Sequence, residues 1–281
     1  MITATGIRDM KTLSRGWKTQ GKRIGFVPTM GFLHEGHLSL VRESKRSVDV
    51  TVVSIFINPT QFGPQEDFDR YPRDIERDRS LLEREGADCL FLPEAGEIYP
   101  PGYRTYVEVH GLQDRLCGRS RPGHFRGVAT VVLKLFNIVS PDVAFFGWKD
   151  AQQAILLRRM AEDLDCDTRL VMCPIVREAD GLAMSSRNSY LSPEERSAAL
   201  VLSRSLAAAE QMVREGERDP GRVVAAVKEM IQREPLARVD YVEIVDEAGL
   251  EPAAEVRGEV IIALAVYIGR TRLIDNVRLQ V

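Results

Sequence analysis

The sequence predicts an α/β fold in which a doubly wound parallel sheet is followed by a smaller α+β domain. Two patterns support this prediction. Apolar, β-branched runs alternate with helix-period segments through the first 176 residues, and the alternation changes after "MSSRN" (184–188). The chain has 281 residues, 44% of them hydrophobic, which is enough to bury a core of this size.

Continuous apolar runs are typical of parallel strands that are covered on both faces. Five such runs are predicted as strands: "RIGFV" (23–27), "VTVVSIFI" (50–57), "DCLFLP" (88–93), "DVAFFG" (142–147) and "TRLVMCPIV" (168–176). The segments between them have helical spacing. The predicted helices are 37–48, with Leu38, Val41 and Val48 on one face, 72–86, from Pro72 to Gly86, then 126–139 and 150–164.

When parallel strands alternate with helices through right-handed crossovers, the simplest strand order in the sheet is 3-2-1-4-5. The order then reverses between the first and fourth strands. Ligands of such sheets bind at the carboxyl ends of the strands beside this reversal. We therefore expect the site where "PTMGFLHEGH" (28–37) meets "FFGWKDAQQ" (145–153).

The pattern after residue 184 predicts helices at 193–215 and 220–233, then strands at 239–246, 260–269 and 272–279. We divide the chain into a first domain at 1–176, which binds the substrates, and a second at 177–281, which covers them. No long flexible linker separates the two, so they are expected to pack around one cleft.

The composition limits the partners and the compartment. The 38 basic and 41 acidic residues are mixed along the chain, with a net charge of -3, so nucleic acid is not an expected partner. The four cysteines are scattered and are expected to be reduced thiols. Charges interrupt "MITATGIRDMKTLSRGW" (1–17), and no apolar run approaches the ~20 residues of a membrane span. We expect a cytoplasmic protein without a membrane partner.

The segment "MGFLHEGH" (30–37) meets the conditions for binding a polyphosphate: free backbone N–H groups at a helix start, glycine, and the positive end of the helix dipole. His34 and His37 can both face such a ligand, as neutral donors or as imidazolium ions. On spacing alone, a turn with one histidine capping the helix is equally probable. A zinc site is disfavoured, because helical zinc pairs are more often four apart and further ligands are missing.

Six segments together are specific: "PTMGFLHEGHLSLV" (28–41), "SIFINPTQFG" (54–63), "YPRD" (71–74), "RPGHFRGVATVV" (121–132), "FFGWKDAQQ" (145–153) and "DGLAMSSRNSYLS" (180–192). The first resembles the HxGH signature of the nucleotidyltransferase superfamily, whose fold is Rossmann-like. All six, in order, resemble the motifs of the pantothenate synthetase family. The last third resembles the family's smaller domain in pattern only.

The resemblance implies an ATP-dependent ligase of coenzyme A biosynthesis that acts in two steps. The carboxylate of (R)-pantoate attacks the α-phosphorus of ATP, giving pantoyl adenylate and pyrophosphate. The amine of β-alanine then attacks the acyl carbon and releases AMP. The resemblance also implies a homodimer. Mg²⁺ is expected mainly on the ATP phosphates and water, because no carboxylate cluster in the sequence is typical of a dedicated metal site.

The resemblance assigns catalytic roles around the phosphates to four side chains, His34, His37, Lys149 and Arg187. It assigns contacts with ATP to a larger set: Met30, Gly31, His34, Gly36, His37, Gly147, Lys149, Asp150, Val176, Met184, Ser185, Ser186 and Arg187. Gly147 is expected to permit a tight turn, Asp150 to cap the helix or approach magnesium, and both serines to donate hydroxyl hydrogen bonds. Each motif taken alone is equally consistent with an ordinary turn or helix cap.

Pantoate is assigned to Gln61 and Gln153, and further to Asn58 and His124. Uncharged amides suit a carboxylate that must stay nucleophilic. Trp148 departs from the family, where glutamate is usual, and the roles of Tyr71 and Arg73 stay open.

Two alternatives remain. One is an HxGH nucleotidyltransferase with a different acceptor, such as a phosphorylated alcohol or an aminoacyl group for tRNA. The other is a non-catalytic ATP-binding sensor, which would tolerate loss of the histidines and Lys149.

Overall fold

A computed structural model describes residues 1–64 and 66–281. The first part is a six-stranded sheet, all of whose neighbouring strands run parallel, in the order β1-β4-β3-β2-β5-β6. Its strands are β1 (Ile2–Ala4), β2 (Ile24–Thr29), β3 (Val50–Ile55), β4 (Cys89–Phe91), β5 (Val143–Gly147) and β6 (Arg169–Cys173). The five predicted strands have the predicted order, which is confirmed. The short edge strand β1 was not predicted.

Seven helices belong to this part among the described residues: α1 (Ile7–Thr19), α2 (Glu35–Ser47), α3 (Ile75–Arg84), α4 (Ala95–Ile98), α5 (Cys117–Ser120), α6 (His124–Val139) and α7 (Ala151–Asp163). The prediction missed α1, α4 and α5. It also began α3 at Pro72, which is wrong: the Asp74 side chain accepts a hydrogen bond from the Arg77 amide, so Asp74 is the N-cap.

The predicted apolar face of α2 packs on the sheet, with Leu38 and Val41 buried. Gly25 on β2 makes this packing possible, because a side chain there would overlap Ser44 of α2 and Val48, which follows the helix. The end of α2 therefore lies close against the start of β2.

The second part contains α8 (Pro193–Ala198), α9 (Leu200–Arg214), α10 (Pro220–Gln232) and the antiparallel strands β7 (Ala237–Asp246), β8 (Glu259–Ile268) and β9 (Thr271–Gln280), in the order β7-β8-β9. The three predicted strands are confirmed. The single helix predicted at 193–215 is divided at Ala199 into α8 and α9.

Both faces of β8 are buried, in alternation. Leu264 and Val266 join a core formed by the C-terminal helices and strands, whereas Ile261 and Ala263 join the main core of the parallel sheet. The second sheet therefore packs directly on the first part and closes one side of a cleft.

All four cysteines are free thiols, and Cys89, Cys117 and Cys173 are buried. In the part of the chain that the structure describes, no helix has the length and apolar character needed to span a membrane.

Candidate active site

The carboxyl ends of β2 and β5 form the floor of a cavity of about 210 Å³. It lies at the reversal of strand order, where a ligand site was expected. The cavity brings together most of the predicted site residues: Met30, His34, Gly36, His37, Asn58, Gln61, Gly147, Lys149, Asp150, Gln153, Val176, Met184, Ser185, Ser186 and Arg187.

A larger cavity of about 1060 Å³ adjoins the first and extends to β9, where Arg272 and Asn276 line it. The two cavities share part of their walls, including Lys149, Gln153 and Arg187. Together they form the cleft between the parallel sheet and the C-terminal part, which is larger than the ~300–1,000 Å³ typical of a site for one small molecule.

The histidine turn, residues 30–37, begins α2 with a reciprocal cap. His34 is the N-cap, and its Nδ1 accepts a hydrogen bond from the Gly36 amide at 3.2 Å. The Nδ1 of His37 accepts from the His34 amide at 3.4 Å, and the ring centroids lie 4.0 Å apart. Both histidines therefore cap the helix, and both line the cavity.

This cap determines which nitrogen carries the proton. Each Nδ1 accepts a hydrogen bond from a backbone N–H, so a neutral ring holds its proton on Nε2. Burial, reinforced by the Lys149 ammonium, lowers the pKa of His34 to about 4. Burial, with His34 and Lys149 nearby, also holds the pKa of His37 well below its usual value. Of the two forms considered, the geometry supports neutral Nε2–H donors rather than imidazolium ions.

Steric contacts explain why glycine occupies both Gly31 and Gly36 of the turn. A Cβ at Gly36 would come within 2.9 Å of the His34 ring. Gly31 has φ +82°, and a Cβ there would meet Ile55 at 2.8 Å. Gly31 does not line the cavity, and its amide donates to the Thr29 hydroxyl at 3.1 Å. The structure thus gives Gly31 a conformational role in the turn.

Gln61 is held by Asn58, which precedes the 3-10 turn Pro59–Gln61. The Asn58 amide nitrogen donates to Gln61 Oε1 at 3.0 Å and to the Gly127 carbonyl at 3.1 Å, while its oxygen accepts from the Thr60 and Tyr99 hydroxyls at 2.9 Å. Asn58 is 1% exposed, and its hydrogen-bonding groups are all engaged. It orients the Gln61 amide nitrogen, which reaches Met30 Sδ at 3.2 Å on the cavity wall.

Two adjacent glutamines on α7 both line the larger cavity but differ in their contacts. The buried Gln152 accepts from the Cys117 amide at 3.0 Å and donates to the Leu112 and Arg115 carbonyls at 2.9 and 2.7 Å. Gln153 lines both cavities. The sequence prediction selected Gln153, and the structure gives Gln152 a structural function.

The turn after β5 is anchored by the C-terminal sheet. Asn276 of β9 donates to the Trp148 and Lys149 carbonyls at 2.9 and 3.0 Å. The Trp148 ring packs under the Arg278 guanidinium, 5.1 Å from its centroid, and lines neither cavity. The departure from the family at Trp148 thus leaves the position of Lys149 intact.

The requirement for glycine in this turn and the capping alternative for Asp150 are both wrong. Gly147 has φ -91°, which any residue adopts, and a Cβ there would meet nothing within 4 Å, so the turn does not require glycine. Asp150 occupies the N-cap position of α7 without a side-chain capping hydrogen bond. Its carboxylate lies 3.8 Å from the Lys149 ammonium instead.

The serine–arginine loop, residues 184–188, forms the opposite wall. The Ser185 hydroxyl accepts from the Arg187 amide at 3.3 Å, and the Ser186 hydroxyl donates to the Phe32 carbonyl at 3.2 Å. The expected donor role toward a ligand therefore fits Ser185, whereas the proton of Ser186 is already used. Arg187 makes a two-point ion pair with Asp67, with both N···O distances 2.8 Å.

His124 lies beside this site, on the wall of the larger cavity only. Its Nδ1 bonds the Gln61 carbonyl at 2.8 Å and its Nε2 lies 3.1 Å from Arg121. Burial, together with Arg121, lowers the pKa of His124 to about 3. Both ring nitrogens are engaged, so His124 supports the Gln61 segment. Arg73 is likewise engaged with loop carbonyls, including that of Tyr71 at 2.9 Å.

No three His, Cys, Asp or Glu side chains are grouped as a metal site in residues 1–64 and 66–281. Among the described residues that line the smaller cavity, Asp150 is the only carboxylate.

Sequence reasoning missed the residues that hold the site from a distance. Asp67 lies outside the six motifs, Tyr99 follows the unpredicted α4, and Asn276 lies on β9, which was predicted as a strand without a functional residue. The only local signal was the presence of an amide in the middle of a buried strand at Asn276, where a polar group requires partners.

Comparisons with known proteins give a consistent result. A family model described as pantoate-beta-alanine ligase matches residues 2–278. A pantothenate synthetase of Pelotomaculum thermopropionicum is 58% identical over 276 residues, which cover 98% of each chain. A crystal structure of pantothenate synthetase from Thermus thermophilus has a TM-score of 0.93 at 44% identity and covers 99% of each chain.

A further crystal structure, of pantoate-beta-alanine ligase from Francisella tularensis complexed with beta-gamma ATP and beta-alanine, has a TM-score of 0.79. It is 34% identical, and the match covers 99% of this chain and 97% of that one. With full-length matches in both sequence and structure, the chain belongs to the pantoate-beta-alanine ligase family.

Proposed function

We propose that the cleft binds ATP and pantoate side by side and that this chain condenses (R)-pantoate with β-alanine by way of pantoyl adenylate. Family membership supports the overall reaction. The residue roles rest on one observation: the histidine turn, Lys149 and the serine–arginine loop surround a cavity whose remaining wall carries the amides of Gln61 and Gln153. The Francisella relative, which was crystallised with an ATP form and β-alanine, supports binding of both here.

A carboxylate is a poor acyl donor, because oxide is a poor leaving group, and adenylation removes this difficulty. The pantoate carboxylate attacks the α-phosphorus, the bond to the bridging oxygen of the β-phosphate breaks, and pyrophosphate leaves. The β-alanine amine then attacks the acyl carbon, loses a proton, and AMP leaves. No protein nucleophile is needed, so the protein contributes positioning and charge stabilisation.

Three kinds of side chain fit the phosphates. Neutral Nε2–H donors of His34 and His37 stabilise the charge that grows on pyrophosphate, and they do so without holding it back as strongly as a cation would. Lys149, held through its carbonyl by Asn276, supplies a fixed positive charge. Arg187 supplies a planar cation, after it exchanges Asp67 for a phosphate.

Pantoate fits the part of the cavity beside Gln61 and Gln153. Asn58 fixes the side-chain oxygen Oε1 of Gln61, which directs the amide nitrogen to the cavity wall beside Met30 Sδ, and a neutral donor there leaves a carboxylate nucleophilic. Mg²⁺ is expected to be carried by the ATP phosphates and water. The donor set fits this, because the single carboxylate Asp150 suits a water-mediated contact better than a cage.

The test is an assay with protein, ATP, Mg²⁺, pantoate and β-alanine that measures AMP, pyrophosphate and pantothenate. We expect pyrophosphate release to require pantoate and AMP release to require β-alanine. Release of AMP without pantoate would contradict the substrate assignment and favour an acceptor of another kind. Gln61→Ala should raise the KM for pantoate by about tenfold through loss of one polar contact, while Gln20→Ala at the exposed end of α1 serves as the matched control.

Three further features stay predictions: the division into domains 1–176 and 177–281, a homodimer, and a cytoplasmic location. Size-exclusion chromatography with light scattering checks the homodimer, for which twice the monomer mass is expected.

A further inference from the structure

A buried carboxylate of α3 lies directly behind the histidine turn. Asp78 is 0% exposed. Its Oδ2 accepts a hydrogen bond from the Phe32 amide and its Oδ1 accepts one from the Leu33 amide, both at 2.7 Å. These bonds connect residues 45 and 46 positions apart in the chain. The residue after Leu33 is His34, the N-cap of α2.

The turn held by Asp78 has a backbone conformation that residues with a Cβ rarely adopt. Phe32 has φ +48° and follows Gly31 at φ +82°. Left-handed backbone costs free energy for a residue with a Cβ and persists only where surrounding contacts enforce it. Two successive amides that point toward one carboxylate are such a contact, because successive N–H groups in this conformation form a concave anion site.

Three side chains, two from α3 and one from the serine–arginine loop, contact Phe32. Asp78 of α3 accepts from its amide, Ser186 of the serine–arginine loop donates to its carbonyl at 3.2 Å, and the Arg77 guanidinium lies 5.1 Å from its ring centroid. Both backbone polar groups of Phe32 are thus bound by side chains from distant segments. The histidine turn is therefore held between α3 and the serine–arginine loop, just before α2 begins.

Burying a carboxylate is costly unless hydrogen bonds compensate. The nearest cation, Arg77, lies 3.5 Å away and is 44% exposed, so the compensation comes mainly from the two amides. An apolar residue would fill the same buried position on α3 without this cost. Both short hydrogen bonds of this carboxylate go to the histidine turn, so its charge is compensated there.

From these contacts we propose that Asp78 is a positioning residue for the adenylation step: it sets the direction in which the chain enters α2, and so the aim of the His34 and His37 Nε2 atoms at the leaving phosphates. The proposal rests on the proposed function, because it assigns the histidines to pyrophosphate. Asp78 does not line the cavity and acts only through the backbone of residues 32 and 33.

Separate measurement of the two half-reactions tests this proposal. Asp78→Asn keeps the volume and one acceptor but replaces the other with an N–H group that faces an amide. We expect the single-turnover rate of pyrophosphate release to fall by about tenfold to a hundredfold, because small misplacement of catalytic groups has effects of this size. The reaction of supplied pantoyl adenylate with β-alanine should change by less than about threefold, since pyrophosphate takes no part in it.

A matched control is available at the other end of β2. Asp142 also accepts a backbone hydrogen bond, from the Ile24 amide at 2.7 Å, but at the amino end of the strand. Asp142→Asn should leave the ratio of the two half-reactions unchanged. An equal loss of both half-reactions in Asp78→Asn, or no loss of the first, would overturn the positioning role.

If Asp78→Asn does not fold, Asp78→Glu carries the test. Glutamate keeps the charge and both acceptor oxygens, but its additional methylene moves them relative to the amides of residues 32 and 33. The same selective loss is expected, at about threefold to tenfold, and an unchanged first half-reaction contradicts the proposal. The wild-type chain is measured alongside: if it releases no pyrophosphate with pantoate, the proposed function fails, whatever the variants do.

Discussion

The histidine turn and the serine–arginine loop face the same cavity, but they are held by different kinds of contact. The turn is fixed by backbone hydrogen bonds to buried or neutral groups, Asp78 behind it and the two histidine rings within it. The loop places its cation by an ion pair, between Arg187 and Asp67, across 120 residues. One phosphate-binding element is therefore in place before substrate arrives, whereas the other must exchange a protein carboxylate for a phosphate.

This difference has a physical reason. A neutral Nε2–H donor costs little to keep unpaired in a partly exposed cavity, but a guanidinium needs a partner when it is desolvated. Asp67 supplies that partner, and its side chain is 13% exposed. Arg187 in turn holds the pKa of Asp67 below its usual value, against the opposing effect of burial. The Arg187–Asp67 ion pair is therefore the contact that must change when ATP binds.

The largest effect on the rate of adenylation is expected when a fixed donor of the histidine turn is removed. His37→Ala should lower the single-turnover rate of pyrophosphate release by about a hundredfold to a thousandfold, the usual effect of losing one preorganised donor. His110→Ala, at an exposed position, is the control. An unchanged rate with the same thermal unfolding curve would remove His37 from the mechanism.

A smaller effect is expected at the cation of the Arg187–Asp67 ion pair. Arg187→Lys keeps the charge but loses the planar, two-point geometry, so the KM for ATP should rise by about tenfold. Steady-state kinetics with varied ATP measure it. If lysine supports the full rate and affinity, charge alone is sufficient at this position.

Asp67→Asn should change ATP binding in the opposite direction. With the competing charge removed, Arg187 is free to meet phosphate, and the Kd for ATP should fall by about threefold, a modest change because the arginine also loses a partner that orients it. Isothermal titration calorimetry measures the Kd. Glu229→Gln, in the exposed pair with Arg233, is the matched control and should change nothing. Weaker ATP binding in Asp67→Asn would show that Asp67 assists rather than competes.

The smallest effect is expected from pH. The pKa of His34 is lowered to about 4, and that of His37 is also lowered, so both stay neutral between pH 8 and 6. The contribution of the histidines to adenylation should vary by less than about twofold over that interval. A rate that rises as pH falls through 6.5 in the wild type but not in His37→Ala would mean that an imidazolium ion is the active form.

The same shifts predict how stability depends on pH. A histidine whose folded pKa lies below its unfolded value binds fewer protons when folded, so the free energy of unfolding falls as pH drops below about 6.5. His124, with a pKa lowered to about 3, adds to this loss. Urea unfolding at pH 7 and pH 5 measures it, and His124→Gln should lose less stability over that interval than the wild type.

The parallel strands with long apolar runs were predictable. In strand β3, five of six residues are β-branched and all six are buried, and the order of five strands followed from the alternation with helices. Helix α1 was missed although Met10, Leu13 and Trp17 pack on the main core, and the shortest elements were missed because their pattern is weak. Strand β1 has three residues and gains its pairing only from β4, and helix α4 has four residues.

The site divides in the same way. The residues that line the cavity stand in short motifs at strand ends, where sequence position alone indicates that they meet. The residues that aim them, such as Asp78, Tyr99 and Asn276, lie 41 to 128 positions from the groups they hold. Their roles depend on long-range contacts, which the spacing of residues within a motif does not predict.

Periodicity and turn composition are local properties, so the sequence alone predicted five of the six parallel strands, the sheet edge at which the ligand site lies, and the chemical groups available there. Packing was needed to show that Gln152 is bound by backbone groups, which nitrogen of each histidine is free, and that Asp67 holds Arg187. Each of these depends on where distant backbone amides and charges come to lie, and that is set by packing of the whole chain.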